Sequence, residues 1–297
     1  MTHSSFPSAT RQMLLSRRQL LTYGALGAGT LAFPALAIPG TDLQRQLNGL
    51  IRQQRHRGQL SYHERTAWSV YDLQTRQKLV AINENHPMQA ASMIKVFVAL
   101  AYFYLNSQAP GKYPYHDKQR YLMEKMLVNS SNKATNTLMR LCKGPANIKR
   151  LCQRATNNRF RQLHIVEYIP AGGRTYRNRV SAHDYSRFLY DLWHHRLPHS
   201  AELKRIMAIK NHDRITTAAM QAKVFDKTGS TGMLCGDMGI VQLSHNKAYT
   251  FVGIIQRSRK TRRYGHWISQ RSDAMRAASE LVYRFMQQRY HLLHSIG

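Results

Sequence analysis

The residue pattern predicts an α+β fold, mixed α/β in content: an antiparallel sheet flanked by helices from both ends of the chain. Three observations carry this. Leu43, Leu47, Leu50 and Ile51 recur at helical spacing and lead into a strand–turn–strand run over 67–83. Three strand-like stretches, 223–232, 236–243 and 249–256, then follow one another with short breaks. A closing run over 272–286 places Met275, Ala278, Leu281, Val282 and Phe285 on one helical face. Strands bounded by terminal helices fit a sheet covered by the first and last helices. At 297 residues and 43% hydrophobic content, the chain can bury one large core or two modest ones.

The first 37 residues stand apart. They carry Arg11, Arg17 and Arg18 and no acid, and 20–37 is apolar and rich in glycine and alanine. Ala35-Leu36-Ala37 is a small-x-small cleavage pattern. Ser16-Arg17-Arg18-Gln19-Leu20-Leu21 looks like a twin-arginine signal, which implies export of the folded protein to a periplasm or beyond. The expected division is a signal segment over 1–37 and one folded domain over 38–297. An uncleaved anchor is the competing reading, but Gly24, Gly27 and Gly29 weaken a run barely long enough to span. Membrane contact is therefore expected only transiently, through this segment. The same glycines mimic part of a dinucleotide fingerprint, but no strand precedes them.

Within the remaining chain, Thr41-Asp42-Leu43-Gln44 is a capping-box pattern, and Gly58 is a plausible stop for the first helix. The hairpin follows, with strands 67–73 and 78–83. A turn over 83–87 leads to Ser92, Lys95 and an apolar helical run. Helices are expected over 117–127 and 146–155, separated by a polar interruption at 128–136, a short run at 137–141 and a break at Gly144-Pro145. Glu167 stands in a loop. Ser181 reads as an N-cap, with Tyr185, Phe188, Leu189 and Leu192 on one face of the next helix.

The net charge of +29 is extreme and remains +26 once the three arginines of the leading segment are gone. It suggests an anionic neighbour: nucleic acid, a membrane surface or an anionic envelope polymer. The basic residues are scattered, and the densest groups, 52–57 and 257–263, sit in no nucleic-acid motif, so no nucleic-acid partner is expected. Cys142, Cys152 and Cys235 form no C-x-x-C. Cys142 and Cys152 could pair across two helices, but buried free thiols are the simpler reading. His194, His195 and His199 lack metal-ligand spacing, so neither a metal nor another cofactor is expected.

The chemistry is concentrated around Ser92. Ser92 and Lys95 are three apart, so on a helix their side chains meet. A serine in a first helical turn sits among unpaired N–H groups at the positive end of the helix dipole. A lysine one turn on can take the hydroxyl proton if enough of it is neutral. Alone, Ser-x-x-Lys arises by chance. Here Ser130-x-Asn132 and Lys227-Thr228-Gly229 follow in order.

These three motifs together resemble the penicillin-recognising serine hydrolases, and the class A β-lactamases in particular. The resemblance covers nearly all of the chain after residue 37. It implies a β-lactamase/transpeptidase-like fold with an all-helical part, roughly 92–215, between the serine helix and the third motif. It also implies roles. Ser92 would be acylated, Lys95 would act as base or proton relay, and Ser130 would pass a proton to the leaving nitrogen. Asn132 would hold the substrate's side-chain amide. Lys227, Thr228 and Ser230 would receive its carboxylate. The backbone N–H groups of Ser92 and Ser230 would form the oxyanion hole. Glu167, 37 residues after Ser130, falls about where the deacylating glutamate belongs.

Four departures accompany the resemblance. Ser131 replaces the usual aspartate. Glu167 lacks a following proline, and Ala171 stands where an asparagine is usual. The interval from Ser92 to Ser130 is short. The arginine past the third motif is missing from Gly236-Asp237-Met238-Gly239, and Arg214, in the preceding loop, is the candidate to replace it. The implied substrate is a small β-lactam. The alternatives are a peptidoglycan stem peptide cut by a D-alanyl-D-alanine peptidase, and non-catalytic binding of anionic envelope polymers.

Overall fold

The computed structural model describes residues 39–244 and 247–295. The proposed signal segment lies outside them. Helix α1 (Pro39–His56) precedes strands β1 (Arg65–Asp72) and β2 (Gln77–Ile82). A two-residue strand β3 (Met88–Gln89) and a 3₁₀ turn (Ala91–Ile94) lead into helix α2 (Lys95–Gln108). Helices α3 (Asp117–Leu127), α4 (Asn132–Leu141) and α5 (Pro145–Ala155) follow. Strand β4 (Arg179–Val180) pairs with β3, and helices α6 (Ala182–Trp193) and α7 (Ser200–Met207) come next. Strands β5 (Lys223–Thr231), β6 (Leu234–Gln242) and β7 (Ala248–Gln256) and the long helix α8 (Tyr264–Ser295) complete the chain.

The main sheet is antiparallel in every pairing, with order β2-β1-β7-β6-β5. The α+β architecture is therefore the one expected. Its two faces bury separate cores. On one side Leu43, Leu47 and Ile51 of α1 pack with Trp68, Phe251, Met275, Val282 and Met286, so α1 and α8 cover that face. On the other, α2 and α6 meet Ala67, Met238, Ile240, Val252 and Ile254. Helix α2 is buried from Lys95 through Phe103. A helix apolar all round belongs in an interior, and here it is the axis of the helical half. Phe97 stacks edge-on against Phe160 and Phe188 at 5.1 and 5.3 Å.

Several expected boundaries change. The polar interruption before α4 is narrower than 128–136, because Ser131 caps the helix by accepting from the Ala134 N–H at 3.2 Å, so Asn132 already lies within it. Ser181 caps α6 in the same way, accepting from Asp184 N–H at 3.0 Å. Helix α7 was not legible, and α8 runs well past 272–286 at both ends. Its extra turns are held by buried polar and ionic contacts as well as by Trp267 and Tyr290, which join the apolar core. Glu64 accepts Arg271 Nη2 at 3.0 Å and Trp267 Nε1 at 2.6 Å, while Asp72 accepts Arg289 Nε and the Tyr290 hydroxyl, each at 2.9 Å. All three cysteines are buried free thiols.

Candidate active site

Among the described strands β5 pairs only with β6, and one face of β5 and β6 lies against the 3₁₀ turn that carries Ser92. Gly229 and Gly236 permit this approach. A Cβ on Gly229 would stand 2.9 Å from Met93 Cγ and 3.2 Å from the Ala90 carbonyl oxygen, and one on Gly236 would meet Met93 Cε at 2.6 Å. Met93 is thus the peg that seats the serine turn on the sheet. The turn itself is strained: Ala91, just before Ser92, has φ +45°. Ser130 has φ +54°. Non-glycine residues in this region cost about 1–3 kcal/mol each and cluster at functional sites.

Lys95 is the centre of the polar cluster. Its ammonium nitrogen lies 2.9 Å from Ser92 Oγ, 3.0 Å from Ser130 Oγ, 3.0 Å from Asn132 Oδ1 and 2.6 Å from the Ser130 carbonyl oxygen. One amine therefore ties the first motif to the second. The side chain is fully buried. That burial, reinforced by the charge of Lys227, lowers its pKa from 10.5 to about 7. A large fraction of Lys95 is therefore neutral near pH 7 and able to accept a proton.

Lys227 and Gly229 share the face of β5 turned toward Ser92, while Thr228 and Ser230 alternate onto the other face. Lys227 is almost completely buried, and burial lowers its pKa against the opposing pull of Asp226 and Asp237. Those two carboxyls are pushed up, chiefly by burial. Arg214 reaches the site from the loop before β5. Its Nη2 donates to Ser230 Oγ at 2.6 Å, Nη1 to the Gly236 carbonyl at 3.0 Å and Nε to Ser272 Oγ at 2.9 Å. The Arg214 backbone N–H donates to Asp237 Oδ2 at 2.7 Å. Asp237 sits in the stretch lacking the expected arginine, and there it anchors the arginine that comes from elsewhere.

Glu167 is placed differently from the cluster. Its Oε1 accepts from Thr175 Oγ1 at 2.8 Å and from the Tyr176 and Arg177 N–H groups at 2.9 Å each. Partial burial opposes its ionisation, but these bonds win and lower its pKa. Among the described residues it makes no hydrogen bond to Ser92, Lys95 or Asn132. The carboxylate closes its own loop.

Two asparagines complete that loop. Asn136 is bonded to both the N–H and the C=O of Ile169, at 2.9 and 2.7 Å, and Asn178 Oδ1 accepts from the Val166 N–H at 2.8 Å. The loop also reaches the cluster through Gly173, where a Cβ would lie 3.4 Å from Asn132 Nδ2. Neither brace stood out in the sequence. The signal available was Asn136 itself, four residues past Asn132 and so on the same helical face.

This arrangement offers a buried, partly neutral amine against a hydroxyl, a second hydroxyl on the same amine, and cationic groups along an adjacent strand. The model of the beta-lactamase enzyme family matches residues 42–109 and 108–286. A variant of PBP-A, solved as an acyl-enzyme complex with penicillin G, is similar with TM-score 0.66 and 18% identity, over 84% of this chain and 97% of that one. A beta-lactamase from Chitinophaga pinensis is similar with TM-score 0.67 and 16% identity, over 82% and 98%. The TLA-1 extended-spectrum beta-lactamase is similar with TM-score 0.68 and 12% identity, over 84% and 99%. Such low identities speak for a shared fold alone. A search of the curated proteins found no match. Since the family model spans most of the chain and the fold agrees with it, this protein belongs to the beta-lactamase enzyme family.

Proposed function

We propose that the protein is an exported serine hydrolase that opens β-lactam amide bonds through an acyl-enzyme on Ser92. The observation that carries this reading is the buried Lys95 amine 2.9 Å from Ser92 Oγ, with its pKa lowered to about 7. Neutral Lys95 takes the Ser92 proton as the oxygen adds to the lactam carbonyl. The C–N bond then breaks. Ser130, on the same amine, hands its proton to the departing nitrogen and takes in its place the one Lys95 received from Ser92, which leaves the lysine neutral again. Asn132 binds the substrate's side-chain amide. Lys227, Thr228 and Ser230, backed by Arg214, bind its carboxylate. Substrate lies along the β5 edge beside Gly229, and the N–H groups of Ser92 and Ser230 hold the oxyanion. Export would proceed through the twin-arginine-like segment.

A second reading, a D-alanyl-D-alanine peptidase acting on peptidoglycan stem peptides, shares the acylation and differs in slow release of β-lactam acyl groups. Glu167 favours it, since a carboxylate engaged by three donors of its own loop is poorly disposed to activate water at Ser92.

Intact-mass spectrometry after addition of penicillin G tests both. The expected result is a covalent adduct of one penicillin, absent from Ser92→Ala. Rapid loss of the adduct with turnover supports the β-lactamase, whereas an adduct lasting hours supports the peptidase. No adduct at all would sink the acyl-enzyme mechanism. Glu167→Gln separates the two roles of that side chain. If it only braces the loop, deacylation changes less than about threefold. If it activates water, deacylation slows by about 10²-fold or more.

A further inference from the structure

The cluster around Ser92 lies at the β5 edge of the sheet. Beside β1 and β2, toward the opposite edge of the sheet, two adjoining cavities open along α6. Their volumes are about 700 and 170 Å³. The larger is lined by Arg159, Arg161, Arg187 and Arg196, with the amides of Asn158 and Gln162. The smaller is lined by Lys78, Tyr71 and Tyr190, and it shares His183, Arg187 and Arg196 with the larger.

Five cations therefore border one groove, against three carboxylates. Asp191 is taken by Arg159 at 2.9 Å and Arg196 at 4.0 Å, and Glu84 by Lys78 at 2.6 Å. Asp184 accepts the Gln162 N–H at 2.7 Å. The side chains of Arg161 and Arg187 form no ion pair or hydrogen bond among the described residues. Arg161 is exposed, but Arg187 is only partly so, set where the two cavities meet. A guanidinium carries five donors in a rigid fork, and those of Arg187, bordering both cavities, are free to bind an anion that enters the groove. That fork matches the paired oxygens of a phosphate. The larger cavity has room for more than a single phosphate, and two guanidiniums in it make no direct pair among the described residues, although the charge of Arg187 acts on Asp184 and Asp191.

We propose that this groove is a second binding site, separate from the catalytic cleft, for a ligand bearing two or more closely spaced phosphate groups. The arginines bind the phosphate oxygens, and the asparagine and glutamine amides bind the remaining acceptors or hydroxyls.

Calorimetric titration of the full chain with inorganic tripolyphosphate tests this, at about 150 mM salt to suppress loose attraction. We expect saturable one-to-one binding, about tenfold or more tighter than orthophosphate, and unaffected by prior acylation with penicillin. Arg161→Gln combined with Arg187→Gln should weaken it about tenfold or more, and Arg187→Lys by less, since the charge stays and the fork is lost. The control removes equal charge from the exposed segment after β7, by Arg259→Gln with Arg262→Gln, and should shift affinity by less than about threefold. Arg161→Gln alone, at an exposed position, should weaken binding measurably and covers the case in which Arg187→Gln does not fold. Equal losses in the groove and control pairs would overturn the proposal, as would absence of binding or its loss on acylation. A glycerol-phosphate oligomer titrated alongside identifies the source. Tighter binding than tripolyphosphate assigns the site to a phosphodiester polymer, and weaker binding assigns it to a free oligophosphate.

Discussion

Lys95 illustrates how burial turns an ordinary side chain into a reactive one. A lysine in water is almost wholly protonated near neutrality and cannot act as a base. Enclosed by α2 and α4 and next to Lys227, it loses that proton near pH 7. Acylation should therefore rise with pH through about 7 and then level off, as measured by kcat/KM for a chromogenic cephalosporin. A flat profile between pH 6 and 8 would count against Lys95 as the base.

The stability consequence has the same sign. Below about pH 7 both folded and unfolded chains hold this proton, and the full cost of burying the charge is present. Between there and the unfolded value of 10.5 the unfolded chain binds more protons, so this group's contribution to stability improves as pH rises. Lys95→Met should remove that part of the pH dependence in urea denaturation. It should also slow acylation about 10²–10⁴-fold.

At the scale of elements, the site exists because a helix start, a loop and a strand edge are pressed together. The Ser92 turn rests on β5 with no room for a side chain at Gly229. Gly229→Ala should push the turn away from the strand, since the Ala90 carbonyl 3.2 Å away is backbone and cannot swing aside. We expect kcat/KM to fall about tenfold or more while the fold is retained with a loss of about 1–3 kcal/mol. An unchanged rate would show that the contact does not position Ser92. The motif residues Ser92, Lys95, Ser130 and Asn132 were legible because each stands at a helix start with fixed spacing. Glu167 was legible as a lone acid, but its hydrogen-bond partners were not. They come from Thr175, Tyr176 and Arg177, residues whose folding back depends on the loop's path and on Asn136 and Asn178.

Across the described domain, buried ion pairs tie distant parts of the chain together beside the two apolar cores. Glu64, just before β1, receives Arg271 and Trp267 of α8, more than two hundred residues away. Both ion-pair partners are nearly inaccessible to water. Glu64→Ala should cost about 3–5 kcal/mol, because it leaves a buried guanidinium without its partner. Chemical denaturation measures this, and a loss below 1 kcal/mol would mean that water replaces the carboxylate. These same residues explain why the apolar period covers only part of α8. Arg271 and Arg289 point inward, so the apolar period breaks where the helix continues. Helix α7 is short, and its eight residues offered too few apolar positions to establish a period.

The amino-acid sequence by itself determined the family, the antiparallel sheet between terminal helices, and the identities of the serine, the lysine and the cationic strand. Those depend on local spacing, which a helix or strand converts directly into shared faces. Only the tertiary structure decided that Arg214 reaches Ser230, that Glu167 turns into its own loop, and that Arg161 and Arg187 come to line one groove. Each of those outcomes depends on which distant backbone arrives beside a side chain, and that is settled by the packing of the whole fold.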